Sequence, residues 1–264
     1  MIAYRSSSEL ERMMVPNQLV TAVLAELAEA VRPGVTTADL DALAERRIRE
    51  AGAEPAFKGY RGYPATLCAS INSEVVHGIP SPQRTLNEGD IVSLDVGAKL
   101  DGFYGDSAVT VAVGQVPDET ATLLRVTREA LDRAIAQVQA GGRLSNIGHA
   151  VQQWAEQHGL SIVREFVGHG IGEQLHEDPQ IPNYGEPGRG PKLSVGMVMA
   201  IEPMVAMGRP DTRVLGDGWT AVTKDGSLAA HFEHTVAVTT EGPLVLTANG
   251  TVRSPSTQVI SQSV

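Results

Sequence analysis

The sequence predicts an α+β fold with helices on one face of its sheets. Two helical segments precede strands and a hairpin, and two further helical segments precede more strands, a coarse internal duplication. Two acidic residues lie inside strand-like segments in each half, which predicts a site between the halves. The composition, 42% hydrophobic and 20% charged over 264 residues, suits a globular chain able to bury a sizeable core.

The first helix begins at Ser6, where Glu9 three residues later completes a capping-box pattern. Leu10, Met13, Met14, Val20, Val23, Leu24, Leu27 and Val31 then follow helical spacing. Pro16 predicts a kink or restart within it, and Pro33-Gly34 ends it. The second helix starts at the Thr36/Thr37 cap, buries Leu40, Leu43, Ala44 and Ile48, and stops at Gly52. From Ala65 the texture changes: Thr66–Ile71 and Ile91–Val96 read as strands. Asp101-Gly102 reads as a hairpin turn leading into Ser107–Val113. Residues 118–140 and 145–158 read as helices separated by Gly141-Gly142, with Gly159 as a C-cap. Strands are predicted over 161–167, 196–206, 219–223 and 231–239. The Ser-, Thr- and Gln-rich stretch 251–264 reads as a flexible C-terminal tail after a single catalytic domain over 1–250.

The formal charge is −10 and no basic run occurs, so no direct nucleic-acid binding is expected. One cysteine, Cys68, excludes an intrachain disulfide and a cysteine zinc finger. The start carries no apolar signal-peptide core, and no apolar stretch approaches the roughly 20 residues of a membrane span. A cytoplasmic protein without a membrane partner is expected.

Five side chains carry the chemistry: Asp95, Asp106, His169, Glu202 and Glu233. Asp95 and Glu202 are single acids in apolar runs, where an unpaired carboxylate costs several kcal/mol. Asp106 follows Asp95 by eleven residues, and a hairpin returns it to Asp95. Alternation puts Glu233, Thr235 and Ala237 on one strand face and His234 on the other, which gives His234 a supporting or structural part. Gly168-His169-Gly170-Ile171-Gly172 lacks both the P-loop ending and the dinucleotide spacing, so its glycines are read as letting the backbone crowd a compact site. His77 and His176 are further candidates, each equally open to a surface or structural reading. Four carboxylates balance two divalent ions, and with one imidazole they favour Mn, Fe(II) or Co over a thiolate-seeking metal. Two such ions sharing a water lower its pKa.

With its neighbours, this series resembles the type I methionine aminopeptidases of the pita-bread metallopeptidase family. The matching segments are Gly59–Pro64, Val75–Pro80, Ser93–Gly97, Asp101–Asp106, Gly168–Gly172, Ala200–Pro203 and Phe232–Thr235. The resemblance implies a pita-bread fold: a pseudo-two-fold duplicated antiparallel sheet, helices on its outer face, and the metal site between the halves. It implies that Asp95, Asp106 and Glu233 contact one ion, that Asp106 and Glu233 bridge both, and that His169 and Glu202 complete the other. It makes Glu202 a proton carrier and His77 and His176 catalytic partners that contact substrate. It makes Tyr60, Tyr63, Cys68 and Trp219, with Phe57 and Leu175 on the wall, the pocket for a methionine side chain. The implied activity is removal of the initiator methionine from nascent chains with a small second residue, by a monomer working near the ribosome. The chain departs from its relatives at Arg61, where they often carry His, and at Phe57 and Leu175. The competing readings are a Xaa-Pro peptidase, which usually adds a large N-terminal domain, and a non-catalytic module, which typically loses ligands that this chain keeps.

Overall fold

A computed structural model gives the fold for residues 1–248; the tail expected over 251–264 lies outside the described residues. Four helices pack against antiparallel sheets in two similar halves. Helix α1 spans Ser7–Ala30 and α2 spans Thr37–Glu50. Both carry the reciprocal capping box, Ser6 with Glu9 and Thr36 with Asp39. They cover a four-stranded sheet built on Ile91–Leu100, which pairs with Leu67–Ile71, Glu54–Pro55 and Phe103–Ala112. Val20, Leu27, Leu40 and Ile48 meet Leu67, Val92, Leu94 and Val96 in the first core. The hairpin turn falls at Asp101-Gly102, with φ of 50° and 85°, the left-handed pair of a type I′ turn.

Helices α3, Asp118–Ala136, and α4, Ser145–Gln157, repeat the arrangement. Leu123, Ala130, Ile147 and Val151 pack on Met199, Ile201 and Val236 in the second core. The second half holds a five-stranded sheet in the order 242–245, 234–239, 198–201, 168–170, 177–181, and a three-stranded sheet of 229–231, 204–206 and 161–162. Side chains stitch the halves together. Ser107 Oγ donates to Glu233 O at 2.6 Å, Thr235 Oγ1 to Asp106 O at 2.8 Å, and Thr110 Oγ1 to His231 O at 2.7 Å.

The structure corrects several sequence expectations. Helix α1 does not restart at Pro16 but runs through it. The buried series Met13, Pro16, Asn17, Val20, Leu24 and Leu27 keeps the helix packed, and Asn17 Nδ2 donates to Met13 O at 2.8 Å. Helix α3 ends at Ala136 rather than residue 140. The strand expected over 161–167 is reduced to Ser161–Ile162, and the chain re-enters a sheet at Gly168–Gly170. The strands expected over 196–206 and 231–239 each break. Val198–Ile201 and His234–Thr239 belong to the five-stranded sheet, whereas Met204–Ala206 and Ala229–His231 belong to the three-stranded one. The breaks fall at Glu202-Pro203 and Phe232-Glu233, where the chain crosses from one sheet to the other. Pro203, which has no N–H for a ladder, marks the first corner.

Candidate metal centre

Asp95 pairs with Ala108 and Asp106 with Gly97, so the two acids are offset by two positions on one face of the hairpin ladder. The turn at Asp101-Gly102 sets that register. Gly105, next to Asp106, lies against the backbone of α1: a Cβ there would stand 2.7 Å from Asn17 N and Pro16 C. The closeness of helix and strand therefore requires glycine at this position.

His169 is brought in by close packing of a different kind. The strand Gly168–Gly170 runs between 198–201 and 177–181, and a Cβ on Gly168 or Gly170 would collide with Ala200 O or Asp178 O. The glycines flanking His169 do let backbone crowd the site. His169 Nδ1 lies 3.0 Å from Gly170 O, which fixes the ring proton on that nitrogen. Nε2 is left facing acids, 3.6 Å from Glu202 Oε1 and 3.9 Å from Asp106 Oδ2. Burial pushes this imidazole down to about 3, so it stands neutral with a free lone pair.

Glu202 and Glu233 sit at the two sheet corners and face the hairpin; Glu233 N–H donates to Ala108 O at 2.9 Å. Asp106, His169 and Glu233 each offer a ligand atom within 4.8 Å of the others. Asp95 and Glu202 lie outside that tight triad but line the same cavity. Asp95 Oδ1, Asp106 Oδ1 and Glu233 Oε1 are buried without a hydrogen-bond partner. Burial raises Asp95 to about 7. Burial, and then the neighbouring charges, raise Asp106, Glu202 and Glu233 well above the usual carboxylate range. Orphaned carboxyl oxygens around a neutral imidazole are a donor set compatible with a hard divalent cation.

The cavity, about 150 Å³, continues from these acids into an apolar end walled by Phe57, Tyr63, Cys68 and Leu175, with Tyr60 and Trp219 nearer the surface. Every site residue expected from the sequence lines it. Tyr63 presents its ring edge to Trp219 at 5.1 Å, and its hydroxyl lies 3.0 Å from Leu67 O and Gly78 O. Burial raises the Cys68 thiol, which is therefore a neutral wall group. His77 holds left-handed backbone at φ 61°, a conformation disfavoured for a residue with a Cβ. Its ring meets Phe166 at 5.5 Å and Trp219 at 6.2 Å, both edge-on, and burial lowers it to about 4. His176 packs on the His169 ring at 4.2 Å. His234 points elsewhere, with Nδ1 2.8 Å from Thr247 Oγ1, the structural part its alternation implied.

Sequence reasoning passed over His231. It is wholly buried, its Nε2 lies 3.7 Å from Glu202 Oε2, and neither ring nitrogen has a hydrogen-bond partner. The available signal was its spacing, two residues before Glu233 and so on the same face by alternation.

A family model, metallopeptidase family M24, matches residues 11–240. The methionine aminopeptidase of Clostridium acetobutylicum is 51% identical over 247 residues, covering 94% of this chain and 99% of that protein. The crystal structure of methionine aminopeptidase from Thermotoga maritima superposes with a TM-score of 0.92 at 47% identity, covering 94% of this chain and 99% of that one. The X-Pro aminopeptidase of Thermotoga maritima shares the fold, with a TM-score of 0.74 at 22% identity; this chain covers 63% of it.

Proposed function

The chain belongs to metallopeptidase family M24, and from that premise we infer its activity: removal of the N-terminal methionine from polypeptides whose second residue is small. The observation that carries this reading is one continuous cavity that joins the five-residue acid and imidazole cluster to an apolar, aromatic, sulfur-lined end. An unbranched thioether side chain suits such a slot.

The residues fit two divalent ions, because four crowded carboxylates, three of them with an orphaned oxygen, need about four positive charges to stay ionised where they are buried. Asp95, Asp106 and Glu233 would hold one ion, and Asp106, Glu233, His169 and Glu202 the other, with Mn, Fe(II) or Co suited to the donors. When bound, such ions make hydroxide available near neutral pH. Glu202, at the corner where two sheets meet, would take a proton from the attacking water and deliver it to the departing amine. His176 and His77, both neutral, offer N–H groups to the peptide oxygen on which charge develops. Phe57, Tyr60, Tyr63, Cys68, Leu175 and Trp219 orient the methionyl side chain and keep water from it.

The test is hydrolysis of Met-Ala-Ser, Met-Leu-Ser and Xaa-Pro peptides by protein loaded with Mn²⁺, Fe²⁺ or Co²⁺. Cleavage of Met-Ala-Ser alone is expected. Cleavage confined to Xaa-Pro peptides would overturn the reading.

A further inference from the structure

The cavity has a buried end and an open one. Phe57, Tyr63, Cys68 and Leu175 are buried, whereas Arg61 and His176 are exposed at the mouth. A peptide with its first side chain in the apolar end and its first amide bond at the carboxylates has one way out. Its following residues pass the mouth, and Arg61 stands beside that path.

Arg61 holds this place against its backbone preference. It has φ 49° and ψ 23°, left-handed backbone that glycine or asparagine accepts more readily than arginine. Gly59 and Gly62, at φ 88° and 90°, flank it, and the turn is closed by Gly59 N–H donating to Tyr63 O at 2.8 Å and Tyr63 N–H to Tyr60 O at 2.9 Å. A rigid turn thus presents a long cationic side chain at the opening. Backbone strain of this sort concentrates at functional positions. The guanidinium carbon lies 5.3 Å from the centre of the Tyr60 ring, the ring that stacks on His176. Its neighbour Lys58 is engaged by Glu45 at 2.7 Å, but Arg61 enters no ion pair among the described residues.

The charge of the whole chain has the opposite sign. At −10, its summed field disfavours an acidic peptide. Any preference for acid near the cleaved bond therefore has to come from a local cation, and Arg61 is the cation at the mouth. Resting on the methionine-removing activity above, we propose that Arg61 is a specificity-determining residue that favours substrates with Asp or Glu at the third or fourth position.

The experiment compares C-terminally amidated peptides Met-Ala-Glu-Gly, Met-Ala-Gln-Gly and Met-Ala-Lys-Gly with the metal-loaded enzyme. The expected order of kcat/KM is Glu, then Gln, then Lys, with a step of about two- to fivefold between Glu and Gln carried by KM, the range of an exposed ion pair. The order should collapse between about 0.01 M and about 1 M salt, as the screening length falls from roughly 30 Å to roughly 3 Å. Arg61→Asn, compatible with left-handed backbone, should flatten the order, and Arg61→Glu should reverse it. Equal kcat/KM for the three peptides, or the same order persisting in Arg61→Asn, overturns the proposal. Failure to cleave any of the three overturns the methionine-removing reading itself and the proposal with it.

Discussion

The Tyr60 hydroxyl lies 2.9 Å from His176 Nδ1, and the two rings stack at 5.2 Å with 18° between their planes. With the hydroxyl as donor, the single proton of the neutral imidazole sits on Nε2, the nitrogen free to face a peptide oxygen. Partial desolvation of the ring at the cavity mouth, and then the charge of Arg61, lower His176 and favour that neutral form. A residue of the proposed methionine pocket thereby sets the tautomer of the histidine proposed to act beside it.

Tyr60→Phe keeps the stack and deletes the hydrogen bond. Steady-state kinetics on Met-Ala-Ser should show kcat reduced about three- to tenfold, the worth of one hydrogen bond, with KM changed by less than about twofold. An unchanged kcat would separate Tyr60 from the His176 tautomer.

His231 stands beside Glu202. A buried neutral imidazole has one N–H to offer, and Glu202 Oε2 stands 3.7 Å away, just beyond hydrogen-bond reach. With metal holding Glu202 ionised, closing that gap would make a hydrogen bond to a charged group, worth about 1.5–3 kcal/mol, so His231→Leu should lower kcat of the metal-loaded enzyme by roughly tenfold or more. His231→Gln, which keeps an N–H donor, should recover most of the loss. Equal rates in the Leu and Gln variants, both folded by circular dichroism, would reduce His231 to packing.

Three of the five candidate ligand residues are legible because they stand out locally: Asp95 and Glu202 as lone acids in apolar runs, and His169 as an imidazole among glycines. Their placement is not. Glu202 and Glu233 read as residues within strands, yet they occupy corners where the chain leaves one sheet for another. Sheet membership depends on pairings such as Thr235 with Ala200 and Met204 with His231, whose partners are far apart in sequence. Pro203 was the one local trace of a corner. His231 went unnoticed for the same reason, since its significance appears only when the second corner folds against the first. Pro16 shows the reverse case, a strong local breaker overruled by the packing of α1 on its sheet.

That packing can be tested at Gly105. An added methyl would meet Pro16 and Asn17 backbone at 2.7 Å, atoms that cannot swing aside as a side-chain end can. Gly105→Ala should cost about 1–3 kcal/mol of stability by overpacking, read from urea unfolding. The shift falls on the strand that carries Asp106, so affinity for Mn²⁺ measured by calorimetry should weaken as well. A variant as stable as the parent would show that helix and strand can separate without loss.

The clustered carboxylates also dictate how pH acts on the metal-free chain. Asp95 is raised from 3.8 to about 7 in the folded state, and Asp106, Glu202 and Glu233 are raised well above their ordinary values. His77, His169 and His231 are shifted the other way, below their ordinary 6.5. Below pH 6.5 the two sets oppose each other, since the raised acids favour folding at low pH and the lowered histidines favour it at high pH. Above 6.5 the unfolded histidines lose their remaining protons, and their opposing slope fades within about one pH unit. The folded chain there still binds protons on its acids while the unfolded chain does not, so stability falls as pH rises through about 7. In EDTA, the Tm should drop between pH 6.5 and 8. In excess Mn²⁺, which competes with protons for the same oxygens, the drop should vanish or reverse. Glu202→Gln removes one of the crowded charges and should soften the drop in EDTA while lowering turnover by about 10²–10⁴. A metal-free Tm that is flat or rises over this range would mean that the four acids are not held together as the structure has them.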